Sequence, residues 1–217
     1  MPTDLSLATD RSKSTRAAVL DAALDVFLDK TFHRATVDDI TRRAEVAHGT
    51  FYRYFRNKND VLKALVEQAM SRVPHPDRDL AQTDVLGAIS EDIAAFFSNV
   101  AAQRDLYRIW REASVYDDEI GAVRRSLRRP FVEKIRDSIQ ASIGLQMIPP
   151  IDTEVAAEAL SGMVENFANS WFIEENRDGD INHLAGTVAL IWFRGLAFDQ
   201  RRHSLRGTDG LDAESAS

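Results

Sequence analysis

Residues 36–62 constrain this chain more than any other stretch. Val37, Ile40, Ala44, Val46, Phe51, Tyr54 and Phe55 fall where two short helices joined by a tight turn would bury them, with polar residues between. Thr36 stands where a hydroxyl can hold the free amides of a first helical turn, and Asp38 and Asp39 follow where carboxylates favour the helix dipole. The pattern predicts a helix from Thr36 to about Ala44, a turn through Glu45 and Val46, and a second helix from about Ala47 to Tyr54. A new cap at Asn57 opens a helix that carries Val61, Leu62, Leu65, Val66 and Ala69 on one side.

The rest of the chain also reads as helix. Only 10 of 217 residues are Gly and 6 are Pro, and no stretch alternates apolar and polar residues long enough for a strand. Residues 1–13 read as a disordered arm, with Arg11 and Lys13 as its basic groups. A first helix is expected over about 14–30. Pro74 and Pro76 make the clearest break. After it, helices are expected over about 83–102, around Leu106 to Trp110, over about 117–144, from a cap at Asp152 to about 174, and from a cap at Asp180 to about 198. Pro130 predicts a kink or break in the long one, because proline lacks a donor and crowds the preceding turn. Residues 204–217 read as a disordered tail.

The net charge of −7 argues at first against a polyanion. Its distribution says more: residues 11–60 hold ten Lys and Arg against seven acids, so a modestly basic head sits on an acidic body. Binding to DNA would therefore be confined to the head. There a second short helix lies in the major groove while the first braces across the backbone. Gly49 lets the backbone approach closely, and Thr50 suits a phosphate or a thymine methyl. Arg53 is the best candidate for a base edge, since a guanidinium grips guanine in bidentate fashion. His48 suits a base or a phosphate. Tyr52 and Lys58 suit the backbone, which fixes register without reading sequence. Thr36 and the amides that follow it suit a further phosphate.

The run Thr36-Val37-Asp38-Asp39-Ile40, then Ala44, Val46, Gly49-Thr50-Phe51-Tyr52, Tyr54-Phe55, Asn57-Lys58 and Val61-Leu62, resembles the TetR family of bacterial transcriptional regulators. The resemblance covers about residues 14–62. It implies an all-α fold: an N-terminal three-helix helix-turn-helix DNA-binding domain over 14–60, and a C-terminal helical ligand-binding and dimerisation domain over 61–203. By position, Thr36, His48, Gly49, Thr50, Tyr52, Arg53, Tyr54 and Lys58 match the family's DNA-contacting places. The implied partners are double-stranded operator DNA, a second copy of the chain and a small-molecule effector. Three residues depart from the pattern. Thr31 and Glu45 stand where Gly is common in the two turns, and Ala47 stands where Ser or Thr often caps the second helix.

In the body, Phe96, Phe97, Trp110 and Phe167 are candidates to line an apolar pocket between helices, with Arg108 and Arg111 as polar groups facing a ligand. Leu160, Val164, Trp171, Val188, Ile191 and Trp192 form stripes on the last two helices that suit a four-helix interface between two copies. The basic run Arg124, Arg125, Arg128 and Arg129 reads as a solvated face.

The expected function is a ligand-responsive regulator, most simply a repressor released from a palindromic operator by a small, largely apolar effector. The alternatives are a DNA-binding regulator without a small-molecule ligand, and an activator. An enzyme is not expected: the chain has no cysteine, no phosphate loop, no nucleophile elbow and no dinucleotide fingerprint, and its 5 His are scattered. No cofactor or metal is called for. With no signal-peptide pattern at the start and a longest apolar run, 188–193, too short for a bilayer, a cytoplasmic, nucleoid-associated protein without membrane contact is expected.

Overall fold

The computed structural model describes residues 4–73 and 84–197, with side chains over 13–73 and 84–196. The expected all-α fold forms. The helices are α1 (Asp4–Lys30), α2 (Val37–Arg43), α3 (His48–Tyr52), α4 (Lys58–Met70), α5 (Val85–Ala102), α6 (Arg104–Tyr116), α7 (Asp118–Gly144), α8 (Thr153–Ala168) and α9 (Ile181–Ala197). A π-helical turn, Asn169–Glu174, continues α8. The expected tail over 204–217 and the break around Pro74 and Pro76 lie outside the described residues.

The chain divides into two compact units: Met1–Val73 with Asn99–Arg128, and Pro74–Ser98 with Arg129–Ser217. In the first, α1 shows why it is a helix. Val19, Leu20, Ala22, Ala23, Val26 and Phe27 bury one face, while Asp21, Asp25 and Asp29 face solvent. Against that face pack Ile40 of α2, Phe51 of α3, Phe55, and Val61, Leu62, Leu65 and Val66 of α4. Leu106, Ile109, Trp110 and Ala113 of α6 and Ile120 of α7 close the same core. A helix-turn-helix of this size buries little by itself, so α4 and α6 supply the apolar area it lacks.

Two expectations are corrected. α1 begins at Asp4, so residues 4–13 are helical and not an unstructured arm; nothing in 4–13 is a helix breaker. α7 is one helix from Asp118 to Gly144, so of the kink or break expected at Pro130 the break does not occur. A mid-helix proline forfeits one backbone bond, and here the turns on either side keep theirs.

The second unit is built on aromatic contact. Phe97, fully buried, stacks on Phe167 at 5.3 Å and meets Phe172 edge-on at 5.6 Å. Phe167 stacks on Trp171 at 5.5 Å. A smaller cluster joins Ile139 of α7 to Ala156 and Ala157 of α8, with Val132, Ile135 and Leu160 around it. Asp152 and Asp180 cap α8 and α9 as expected: each carboxylate accepts two backbone amides from the first turn.

Thr31 and Glu45 adopt φ of 66° and 55°, the left-handed conformation glycine takes at no cost. Thr31 is β-branched, a residue type that this backbone region disfavours. Replacing Thr31 by Gly is expected to stabilise the fold by about 1 kcal/mol, a rise in thermal midpoint of about 2–4 °C, readable by calorimetry.

Candidate nucleic-acid interface

The site is built on α2, the turn after it, and α3. Thr36 caps α2 reciprocally. Its hydroxyl accepts the Asp39 amide (3.2 Å) and donates to Asp39 Oδ2 (2.8 Å), while the Thr36 amide donates to that same oxygen (3.2 Å). The other carboxylate oxygen of Asp39 takes Lys30 Nζ at 2.6 Å. The Lys30 hydrogen bond, and then that from Thr36, hold the Asp39 carboxyl down at about 2. Thr36 was expected at a phosphate, but its one hydroxyl proton is committed to Asp39.

After α2 the chain turns through Glu45, and the Val46 amide closes the turn on the Thr41 carbonyl at 3.1 Å. Ala47 begins α3 with no side-chain cap, as its residue type requires. Phe51 anchors the helix: it is fully buried, with its ring 5.8 Å from Phe55. Since Phe51 points inward, the opposite side of α3 points out. Gly49 is exposed, with nothing within 4 Å of where a Cβ would stand. Tyr52 is 52% exposed, and Thr50 is half-buried. Arg53 follows at the C-terminal cap, exposed, with no ion pair or side-chain hydrogen bond among the described residues. Tyr54 packs half-buried against the core. His48, Gly49, Tyr52 and Arg53 thus share one open face.

The acids of α2 qualify that face. His48 Nε2 lies 2.6 Å from Asp38 Oδ1, which joins α3 to α2, and the imidazole ring stands 5.2 Å from Tyr52. Arg43 bonds Asp25 of α1 (2.9 Å), and Arg56 bonds Asp60 (2.8 Å). Arg42 lies 3.6 Å from Asp39.

Lys58, expected at the DNA backbone, meets the α1–α2 connection in the free chain. Its ammonium donates to the carbonyls of Phe32 (2.7 Å), His33 (3.0 Å) and Ala35 (3.0 Å). It also stands 4.8 Å from the Phe32 ring centre. Burial lowers its pKa from the ordinary lysine value, which nearby Asp117 partly opposes. Beside it, the Asn59 amide donates to Asp117 Oδ2 (3.1 Å) and Glu119 Oε2 (2.9 Å), at the turn between α6 and α7. Sequence reading missed both. A cation at the first position of a helix, its positive end, was the one available hint that Lys58 serves something other than its own helix.

The expected ligand residues fall in both compact units. Phe96, Phe97 and Phe167 belong to the second compact unit, and Arg108, Trp110 and Arg111 to the first. Trp110 is core there, beside Ile109 and Ala113, and Arg108 pairs with Asp105 at 3.2 Å. Trp171 buries an indole N–H that meets no acceptor among the described residues, and Arg177 lies over its ring at 4.8 Å. Of the six expected interface residues only Ile191 is exposed, at 58%. Val164 and Val188 are buried in their own unit, and Leu160, Trp171 and Trp192 are half-buried. The apolar stripes are wider than one packing face, so sequence period alone could not separate their inner and outer edges. Val155 of α8 and Phe193 of α9 are further exposed apolar residues on these helices.

Residues 19–65 match the profile of the bacterial regulatory proteins, tetR family. The uncharacterized HTH-type transcriptional regulator YdeS of Bacillus subtilis is 34% identical over 113 residues, 52% of this chain, which spans 51% of that relative. The fatty acid metabolism regulator protein of the same organism is 22% identical over 82% of this chain and 93% of its own. Among solved structures, a TetR-family regulator from Syntrophomonas wolfei superposes with a TM-score of 0.72 at 21% identity, covering 85% of this chain and 97% of that one. FadR of Bacillus subtilis, solved in complex with stearoyl-CoA, gives 0.65 at 19% identity, covering 82% and 98%.

Asp39 supplies a pH test of the capped α2. Its folded value lies below the usual carboxylate range, so its contribution is present above about pH 4 and is lost as pH falls toward 2. The thermal midpoint of the wild type is expected to fall more steeply between pH 4 and 2 than that of Asp39→Asn, which has no such proton to take up.

Proposed function

As a member of the TetR family through its N-terminal domain, this chain is, we propose, a ligand-responsive transcriptional regulator. It binds a palindromic operator as a homodimer and is released by a small, largely apolar effector. The observation that carries the reading is the outward face of α3. Gly49 is open, Tyr52 is exposed, and Arg53 is a cation with no partner among the described residues, all on a helix fixed by Phe51. Such a face meets a groove with backbone, an aromatic hydroxyl and a bidentate donor. His48, Thr50 and Tyr54 complete the proposed contacts to the groove, and Thr36 and Lys58, which also hold the helices that carry them, stand toward the phosphate backbone.

Two copies must present their α3 helices about 34–36 Å apart, or a multiple of it, to enter successive grooves. The exposed apolar residues of α8 and α9, Val155, Ile191 and Phe193, support pairing through these helices. The effector would occupy the second unit, against Phe96, Phe167 and Trp171. There the indole N–H, which meets no acceptor among the described residues, offers a hydrogen bond to an acceptor on an otherwise apolar molecule. Triclosan in the SmeT complex is of this class, and the stearoyl-CoA of the FadR complex shares it only through its acyl chain. An effector moves the equilibrium only if it binds the released form more tightly.

A duplex selected from a random pool by the wild type provides the test. Arg53→Ala is expected to lose about 1–3 kcal/mol of binding to it and to relax preference at one base pair in each half-site, read by competition anisotropy. Undiminished affinity and preference would remove Arg53 from the interface and the reading with it.

A further inference from the structure

The first turns of α7 pack on one side only. Ile120 is fully buried, and Val123 and Leu127 lie against the core of the first unit. Asp118, Ala122 and Arg125, four and then three residues apart, stand one above another on the opposite side, and all three are exposed. Charge is sorted along this stripe. Asp118 and the neighbouring Glu119 mark its start, Ala122 its middle and Arg125 its far end. Neither Asp118 nor Arg125 has an ion pair or a hydrogen bond among the described residues. They stand about 10.5 Å apart along the axis, beyond the spacings of three and four residues at which side chains of one helix pair. Val115 and Tyr116, at the end of α6 just before the stripe, are 68% and 77% exposed, the highest values among the large apolar residues described. Apolar and aromatic groups left in solvent beside unpaired charges mark a surface that meets another protein.

We propose that this face of α7 is a pairing surface for a second copy of the chain, met antiparallel, and that it joins one homodimer to the next. The occupant follows from the order of the charges. Turned end for end, the stripe is its own complement: the acid end of each copy meets the basic end of the other, and two pairs of Asp118 with Arg125 form about one twofold axis. The axis passes near Ala122, whose methyl group lets the two helices approach closely. Parallel pairing sets acid against acid and is repulsive. A different partner would have to carry this order of charges on a surface of its own, and the chain already carries it. The surface uses none of the α8 and α9 residues proposed for the homodimer, and in joining dimers it rests on that reading. It is also small. A few side chains and two exposed ion pairs make a weak contact. Such a contact forms when a shared duplex already holds two dimers side by side and raises their effective concentration.

The chain has no cysteine, so Ala122→Cys carries a single thiol. A twofold axis near that position brings the thiol against its own copy at disulfide distance. Under mild oxidation, Ala122→Cys is expected to form covalent pairs at least about tenfold faster than Gln140→Cys, which is exposed further along the same helix. Asp118→Arg or Arg125→Asp, each added to Ala122→Cys, should remove that advantage, and the two together should restore it. Equal rates for the two cysteines overturn the proposal, and so does an advantage that either charge reversal leaves intact. Sedimentation of the wild type and of cross-linked Ala122→Cys separates the proposal from the homodimer reading. A wild type of two chains and a cross-linked protein of four uphold both. A cross-linked protein that stays at two chains beside a two-chain wild type puts the contact inside the homodimer and overturns the joining of dimers. A one-chain wild type sinks the homodimer, and the joining of dimers with it, while fast cross-linking to two chains still upholds the α7 surface.

Discussion

Five residues cannot hold a helix by their own hydrogen bonds, and α3 has five. The burial of Phe51 keeps it in place. That ring lies in the core with Phe27, Ile40, Phe55 and Leu62, and it fixes the rotation of α3 about its axis. Everything proposed for the outer face follows from that rotation. Gly49, Tyr52 and Arg53 are outside because Phe51 is inside. Where the start of α3 lacks a side-chain cap, its packing compensates.

Around this anchor the head uses its charges locally. Asp39 gathers the Thr36 hydroxyl and amide and the Lys30 ammonium. Arg43 returns to α1 through Asp25, and Arg56 closes on Asp60 in the same turn of chain. Exposed pairs of this kind add little stability one by one. Their larger effect is to fix where α2 stands. Lys58 differs in being half-buried and in meeting carbonyls instead of a carboxylate, so its bonds last only while the turn beneath it keeps its shape.

Much of this was legible in the residues. The spacing of Val37, Ile40, Phe51 and Phe55 foretold both short helices and their inner faces, because a helical period maps directly onto burial. Thr36, Asn57, Asp152 and Asp180 foretold four helix starts, because capping is local chemistry. Thr31 and Glu45 take the left-handed backbone, and Ala47 leaves its helix uncapped, as the pattern around them implied. The partners of polar side chains were not legible. Nothing within a few residues of Lys58 or Asn59 points to carbonyls and carboxylates far along the chain. In the body the aromatic residues were visible but not their grouping: Trp110 and Phe167 look alike in sequence, yet they belong to different units. The early start of α1 and the unbroken course of α7 were not legible, because polarity in 4–13 does not itself stop a helix and a single proline forfeits only one backbone bond.

Pairing cations with acids inside the head has a kinetic consequence. Non-specific attraction to duplex grows with the number of unneutralised cations a protein can bring to phosphates. With Asp39 at Lys30, Asp25 at Arg43 and Asp60 at Arg56, the cations left without a carboxylate or carbonyl partner among the described residues of the head are Lys13, Arg16, Arg34 and Arg53. A DNA-binding head made this way would linger less on arbitrary sequence than one with every cation free, and its search would run more through solution. Fewer copies would then be stranded along a chromosome of decoys, and a smaller pool would keep one true site occupied.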